Sequence, residues 1–140
     1  MNKDVLISIN GLQVAEGTDD SVEVMTVGEY YNRNDKHYII YEEIDEESGT
    51  KTKNVIKVSE QAIEIKKTGL VNSNMFFENN KTNRSYYSTP FGDFTIDIDT
   101  NGIAVNVNEK DMDIKIDYAL SINNQHTNDC QISMSVREMM

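Results

Sequence analysis

Apolar and polar residues alternate along almost the whole chain, and this period of two is the feature that most constrains the fold. Runs such as "DVLISI" and "DFTIDID" place successive side chains on opposite faces of an extended strand. The stretch that comes nearest to a helix is "SEQAIEIKK", but its Ile63 and Ile65 also alternate, so a turn followed by a strand fits better. The chain is therefore predicted to be all-β.

Turn-forming residues divide the alternating runs into short segments. The expected strands are Val5–Val14, Val22–Asn32, Lys36–Ile44, Thr50–Val58, Ala62–Lys67, Asn72–Phe77, Asn83–Thr89, Asp93–Thr100, Ile103–Val107, Met112–Ile122 and Thr127–Val136. Many short strands with closely spaced turns predict a barrel or a sandwich. A closed barrel is favoured, because closure removes exposed edges and the chain has only one proline, Pro90, to protect them. Gly28, inside a strand, predicts a bulge or a sharp corner.

Neighbouring strands can be paired by matching their apolar residues. One hairpin places Ile56 opposite Ile65, and a three-residue turn over Asn123–Gln125 places Tyr118 opposite Cys130. Hairpins that follow one another in sequence form a meander. The expected fold is thus a single closed antiparallel meander β-barrel of eight or more strands.

The stretch "DIDTNGIAVNVN" begins like a calcium-binding loop. Asp97, Asp99 and Asn101 fall at alternate positions, and Gly102 stands where such a loop turns sharply. However, the twelfth position is Asn108, where the ion requires a bidentate Glu, and the flanking sequences alternate as strands do. We therefore predict no metal site here.

The same stretch fits a hairpin better. Asn-Gly is the preferred pair for a two-residue type I′ turn, because both residues need positive φ. A turn at Asn101 and Gly102 would place Ile98 opposite Val105 and leave the aspartates in water. We predict a hairpin.

Size and charge limit the function. Residues 1–140 are enough for one domain that buries roughly 68% of its unfolded surface. The net charge of −11 disfavours nucleic acid and anionic lipid as partners. A single cysteine, Cys130, and an N-terminus without a signal-peptide core predict a cytoplasmic protein with no membrane span.

One group of polar residues is a candidate ligand site. The register that pairs Ile39 with Ile56 continues toward the acidic loop "DEESGTK" as polar pairs. These candidates are Tyr41 with Asn54 and Glu43 with Thr52. Convergent polar groups at a barrel mouth are typical of ligand pockets, and Tyr87 and Thr89 are further candidates. The alternative is that these strand ends are solvated and Glu43 points into water.

No motif for catalysis, phosphate binding or zinc binding is present. Cys130 is expected to be a small buried side chain rather than a nucleophile. His37 and His126 are far apart in sequence and lack partners at ligand spacing. We therefore predict no catalytic residues, no metal and no cofactor.

Several stretches resemble the YwiB-like proteins, a bacterial family of unknown function. They are "DVLISINGLQ", "TVGEYYNRNDKHYIIYEE", "KTKNVIKV", "TGLVNSNMFFE" and "YYSTPFGDF". The resemblance covers nearly the whole chain and implies a calycin-like barrel, similar in plan to the lipocalins. It implies no activity, so no site residues can be carried over from it.

Three functional hypotheses follow. The first, which the residues favour, is a non-catalytic barrel that binds a small molecule. The second is an interaction module or homo-oligomer that acts through the outer surface. The third is an enzyme with Glu43 as a general acid or base, and it ranks last because nothing in the sequence shows a poised pKa.

Overall fold

The chain forms a closed barrel of ten antiparallel strands. The computed structural model describes residues 3–11 and 23–139, except for the side chains at positions 23 and 126–128. The strands are β1 Asp4–Asn10, β2 Glu23–Arg33, β3 Lys36–Ile44, β4 Lys51–Val58, β5 Ala62–Thr68, β6 Asn72–Glu78, β7 Thr82–Thr89, β8 Gly92–Val107, β9 Asp111–Ile122 and β10 Gln125–Glu138. Each strand pairs with its neighbours in the chain, and β1 pairs with β10 to close the barrel. The predicted all-β antiparallel meander is confirmed.

The described part of the chain contains no helix that is long and apolar enough to cross a membrane. The predicted first two strands extend to residues 12–14 and 22, which lie outside the described residues.

Apolar matching gave correct registers for several strand pairs. Ile56 lies opposite Ile39 on β3 and opposite Ile65 on β5. Tyr118 lies opposite Cys130 on the last hairpin. These registers follow because a shift of one residue would turn the apolar side chains of a strand outward.

The turn between β9 and β10 is shorter than predicted. Gln125 pairs with Ile122, so the turn has two residues, Asn123 and Asn124, and both have positive φ. This is the arrangement of a type I′ turn. A bulge at positions 126–128 takes up the extra residue, and the predicted register is therefore kept.

The hairpin predicted at Asn101 and Gly102 is wrong. Strand β8 continues through both residues and pairs with β9 along most of its length. Thr100 lies opposite Tyr118 and Gly102 opposite Asp117, so Asn101 is the extra residue of a β-bulge. A bulge and a two-residue turn each shift the inside–outside alternation of the side chains by one position, so the local sequence fits both. The pairing with β9 on both sides of Asn101 shows that the bulge is formed.

The residues that the predicted hairpin would have paired with each other pair instead with β9. Ile98 lies opposite Leu120, and Val105 lies opposite Ile114, rather than opposite each other. One long strand thereby packs its apolar residues against a second long strand, whereas the hairpin would have divided β8 into two short ones.

Strand β2 changes partner at Gly28. Residues up to Glu29 pair with β1, and residues from Glu29 onward pair with β3. A Cβ atom at Gly28 would lie 2.5 Å from the carbonyl oxygen of Ile40 and 2.6 Å from Cδ1 of Ile7. Gly28 therefore permits this close approach, which a residue with a Cβ atom would prevent; the register shows no bulge here, and the sharp corner stays a prediction.

The centre of the barrel is filled by its own side chains. Residues from eight strands have no accessible surface, among them Ile7, Ile39, Ile56, Ile65, Phe77, Ile98, Ile116 and Val136. A side chain with no accessible surface borders no void that could hold a water molecule. At this level the described side chains form a packed core and leave no cup for a ligand among themselves.

Candidate functional site

A row of inward-facing polar residues crosses five strands near one end of the barrel. In order from β3 to β7, the cross-strand neighbours are Tyr41, Asn54, Lys67, Ser73 and Tyr87. We call these five residues the polar row. On β3 to β6 the neighbouring inward positions toward the centre are apolar, namely Ile39, Ile56, Ile65 and Met75, whereas β7 has Ser85 there. The row lies near the barrel end that carries the β3–β4, β5–β6 and β7–β8 loops.

Glu43, one inward position beyond Tyr41, forms a hydrogen-bonded cluster with two members of the polar row. The Asn54 amide Nδ2 and the Lys67 Nζ each donate to Glu43 Oε1 at 2.8 Å. Lys67 Nζ also donates to Asn54 Oδ1 at 2.8 Å. Asn54 is fully buried, and the side chain of Lys67 is 11% exposed while that of Glu43 is 42% exposed. The positive end of the ion pair thus faces inward and the negative end faces outward.

The cluster keeps Glu43 ionised. Partial burial acts to raise the pKa of Glu43, but the hydrogen bond and the charge of Lys67, together with the Asn54 amide, lower it below its ordinary value. Glu43 therefore does not simply point into water, and it is not isolated in the barrel either. Both described donors bond to one oxygen, Oε1, and the side chain remains 42% exposed.

The two tyrosines of the polar row lie within the electrostatic field of Glu43. Burial raises the pKa of the Tyr41 phenol, and the charge of Glu43 raises it further. The pKa of Tyr87 is raised by the same two causes in the same order. Both phenols are therefore neutral at any physiological pH and are available as hydrogen-bond donors or acceptors.

Several polar atoms near the mouth have no hydrogen-bond partner among the described residues. The Ser73 Oγ atom is buried and has no hydrogen-bond partner among the described residues, and the whole residue is only 8% exposed. No described residue bonds to the hydroxyl of Tyr41 or Tyr87, or to Glu43 Oε2. Buried polar groups are normally satisfied, so the Ser73 Oγ atom indicates that water or a ligand completes its hydrogen bonding, while Glu43 Oε2 belongs to a side chain that solvent or a ligand can reach.

The two candidate threonines have local roles. Thr52, which is buried, accepts a hydrogen bond from the backbone N–H of Leu70 at 3.1 Å. Thr89 donates to the carbonyl of Gly92 and accepts from the N–H of Phe91, so it stabilises the β7–β8 turn. These contacts order the loops around the mouth, and the assignment of either residue to a ligand stays a prediction.

Sequence reasoning missed Lys67 and Ser73. The register that pairs Ile56 with Ile65 also pairs Asn54 with Lys67 two residues farther along. The same extension along β5 and β6 pairs Lys67 with Ser73. The information was present in the sequence, but a lysine near a strand end is ordinarily taken to be solvated.

A groove of about 620 Å³ lies where β2 and β3 diverge beyond Gly28. Tyr41 lines this groove and also belongs to the polar row. Its described lining includes three carboxylate residues, Asp4, Glu29 and Glu42, and no lysine or arginine. The groove is therefore acidic and reaches the wall of the barrel beside the cluster.

The stretch that resembles a calcium loop does not form one. Residues 97–107 lie in an extended strand, which cannot wrap its side chains around an ion. Asp97 instead accepts hydrogen bonds from Arg84 at 2.8 and 3.1 Å. Across the described residues, no group of three or more metal-ligating side chains comes together.

Comparisons with known proteins agree with the fold and the predicted family. Over 127 residues, the chain is 27% identical to the uncharacterised β-barrel protein YwiB of Bacillus subtilis, covering 89% of this chain and 88% of that protein. The crystal structure of ywiB protein from Bacillus subtilis superposes with a TM-score of 0.79 at 22% identity, covering 99% of this chain and 93% of that one. A family model described as a domain of unknown function, DUF1934, matches residues 7–134. The chain therefore belongs to the DUF1934 family, and the expected relationship to YwiB is confirmed.

Proposed function

We propose that this protein binds a small molecule at the polar mouth of its barrel and does not act as an enzyme. The observation that carries the proposal is the convergence of Glu43 Oε2, the phenols of Tyr41 and Tyr87, and Ser73 Oγ, none of which has a partner among the described residues. Polar groups that converge above an apolar floor fix the orientation of a ligand. Ligand-carrying barrels of the lipocalin type are built on a comparable plan, which supports the proposal by analogy.

The packed core determines where the ligand lies. Because the central side chains border no void, the ligand sits on top of the polar row rather than deep in the barrel. Such a site is shallow, so it suits a molecule of modest size. Lys67 orders the site but is itself largely covered.

Charge and pKa argue against catalysis. The lowered pKa of Glu43 makes it a poor general acid near neutral pH. The raised pKa values of Tyr41 and Tyr87 make the phenols poor nucleophiles and poor bases. The groups at the mouth are therefore suited to binding.

We also place this activity in the cytoplasm and propose neither nucleic acid nor membrane as a partner. The single cysteine excludes an internal disulfide, which suits a reducing compartment, and the net charge of −11 repels polyanions.

Native mass spectrometry of the full chain, purified from its own cells, tests the proposal. We expect a mass that is retained under native conditions and released on denaturation. Glu43→Ala should lose this mass while keeping the fold, whereas Glu109→Ala, at an exposed position in the β8–β9 turn at the other end of the barrel, should retain it. If the Glu43→Ala protein still carried the additional mass under native conditions, the binding site would have to lie elsewhere.

An interaction surface is the second candidate, and an apolar patch on the outside of the barrel favours it. Leu6 on β1 lies opposite Val27 on β2, and Met25 lies two residues from Val27 on the same face. All three are exposed, Met25 and Val27 by 63% and 59%. Exposed apolar patches of this kind mark sites of association. Light scattering over a range of concentrations tests this, since a strict monomer at all concentrations would count against a homo-oligomer.

A further inference from the structure

We propose that the ligand of the barrel mouth carries a protonated amine, which binds to Glu43 Oε2. This inference rests on the proposed function and adds the chemical class of the ligand. The geometry of the ion pair is its starting point. Lys67 and Asn54 both donate to Oε1, and the Lys67 side chain is 11% exposed against 42% for Glu43. The carboxylate is therefore the part of the pair that a ligand reaches, and Oε2 is the oxygen to which neither donor is bonded.

Lys67 is poorly placed to bind an anionic ligand. Its ammonium already donates to Glu43 and Asn54 at 2.8 Å, and its side chain is only 11% exposed. An anion approaching from the mouth would meet the carboxylate of Glu43 before it met the ammonium. The negative charges of the anion and of Glu43 would repel each other, so ligands that carry a carboxylate or a phosphate are disfavoured.

The surroundings of the mouth are also acidic. The groove that Tyr41 lines contains Asp4, Glu29 and Glu42, and of these only Glu29 has a described ion pair, with Lys3 at 3.6 Å. The three carboxylates of the groove outnumber the two lysines beside them, Lys3 and Lys53, so the groove provides a favourable field for a cation. The β3–β4 loop adds Asp45, Glu46 and Glu47 against Lys51 at the start of β4, so its net charge is also negative.

The tyrosines select for an organic cation rather than a bare ion. Tyr41 is only 3% exposed, whereas Tyr87 is half-buried, so the ring of Tyr87 is the one that a ligand can reach. Aromatic rings attract ammonium groups through their quadrupole. Within the described residues, the carboxylates form no cluster of metal ligands. A primary ammonium on a small apolar or aromatic body matches both features.

Three probes with the same carbon skeleton separate the alternatives: benzylammonium, benzyl alcohol and benzoate. Each is titrated into the ¹⁵N-labelled full chain at neutral pH while backbone amide shifts are followed. We expect benzylammonium to shift the amides of the polar row and to bind about fivefold more tightly than benzyl alcohol, the gain of one half-exposed charged hydrogen bond. Benzoate should bind more weakly than the alcohol.

Two variants with the same change in net charge locate the effect. Glu43→Gln keeps an acceptor for Lys67 and Asn54 but removes the charge, and it should abolish the preference for benzylammonium over benzyl alcohol. Glu109→Gln, at an exposed position in the β8–β9 turn at the opposite end of the barrel, should preserve that preference. The wild-type probe series is informative even if the Glu43 variant does not fold.

The outcomes separate the inference from the proposed function. If benzyl alcohol and benzylammonium bind equally at the polar row, or if benzoate binds best, the proposal of an amine ligand is refuted. The barrel mouth remains a binding site in either case. If Glu109→Gln weakens the preference as much as Glu43→Gln, the assignment to Glu43 is refuted. If no probe shifts the amide resonances of the polar row, the proposal of an amine ligand is also refuted. Native mass spectrometry then tests the proposed function separately.

Discussion

Replacing Lys67 by methionine tests whether the cluster at the barrel mouth contributes to folding stability. The change removes two charge-assisted hydrogen bonds and leaves Asn54 Oδ1 without its donor at a fully buried position. An unsatisfied buried acceptor costs about 2 kcal/mol. The lost ion pair adds only about 0.5 kcal/mol, because Glu43 is 42% exposed and solvent screens it.

Two gains offset part of this loss. The folded protein no longer covers an ammonium group, and the methionine side chain buries additional apolar surface, together about 1 kcal/mol. We therefore expect the free energy of unfolding to fall by about 1.5 kcal/mol at pH 7. For a chain of this size that lowers the melting temperature by about 5 °C.

The dependence on pH gives a sharper test. In the wild type, the pKa of Glu43 is lower in the folded than in the unfolded state, so its ionisation stabilises the fold above its ordinary value of 4.5. This stability is lost as the pH falls through the folded-state pKa. Without Lys67, burial acts on Glu43 with only Asn54 to oppose it, and the contribution weakens or reverses. The difference in stability between wild type and variant should therefore be largest at neutral pH and should shrink below about pH 4.5.

Urea denaturation followed by circular dichroism measures both effects, with Lys66→Met as the control. Lys66 is exposed on the outer face of β5 and carries the same charge, so its replacement should change stability by no more than about 0.5 kcal/mol. A Lys67→Met protein that matched this control at pH 7, or whose deficit did not change with pH, would refute the role given to the cluster.

Three further predictions concern other parts of the barrel. Gly28→Ala should lower the free energy of unfolding, measured by urea denaturation, by about 3 kcal/mol, because the new Cβ would lie 2.5 Å from the Ile40 carbonyl oxygen. Gly102→Ala is the control and should lower it by less than about 1 kcal/mol, because its Cβ would lie 3.8 Å from the nearest atom. Ser73→Ala should leave the free energy of unfolding unchanged within about 1 kcal/mol, since its Oγ has no partner among the described residues; a larger loss would reveal a bound water or ligand. Burial raises the pKa of the Cys130 thiol, so iodoacetamide at pH 8 should alkylate it at least about tenfold more slowly in the folded protein than in urea, and equal rates would contradict its half-buried position.

Local alternation predicted the strands and several registers because the inner face of this barrel is strongly apolar. Ile39, Ile56 and Ile65 are all fully buried, so any register that separated them would expose a large apolar side chain. The same reasoning, carried two residues farther, reaches the pair of Asn54 and Lys67. The polar row was thus accessible from the sequence as a set of neighbours.

The hydrogen bonds within the polar row were not accessible in the same way. Whether Glu43 turns outward to water or inward to Lys67 depends on where the barrel ends relative to each tilted strand. That level is set by the closure of all ten strands and by no single hairpin. Strand pairing alone therefore identified the neighbours of Glu43 without giving its environment.

The bulge in β8 illustrates a second limit. Asn101 and Gly102 suit a tight turn, and the apolar positions before and after them are consistent with one. What favours the bulge is the length of β9, which offers partners to both halves of β8. This information lies in the next strand rather than in the stretch itself.

The ladder between β1 and β10 joins Val5 to Glu138, so the two ends of the barrel wall meet last during synthesis on the ribosome. Until β10 has emerged, β1 and β9 each expose backbone groups that can pair with other chains. Contacts between such distant segments also slow folding, because much chain entropy is lost before they form. The nascent chain should therefore be most prone to aggregation, and most dependent on chaperones, shortly before its last strand is made.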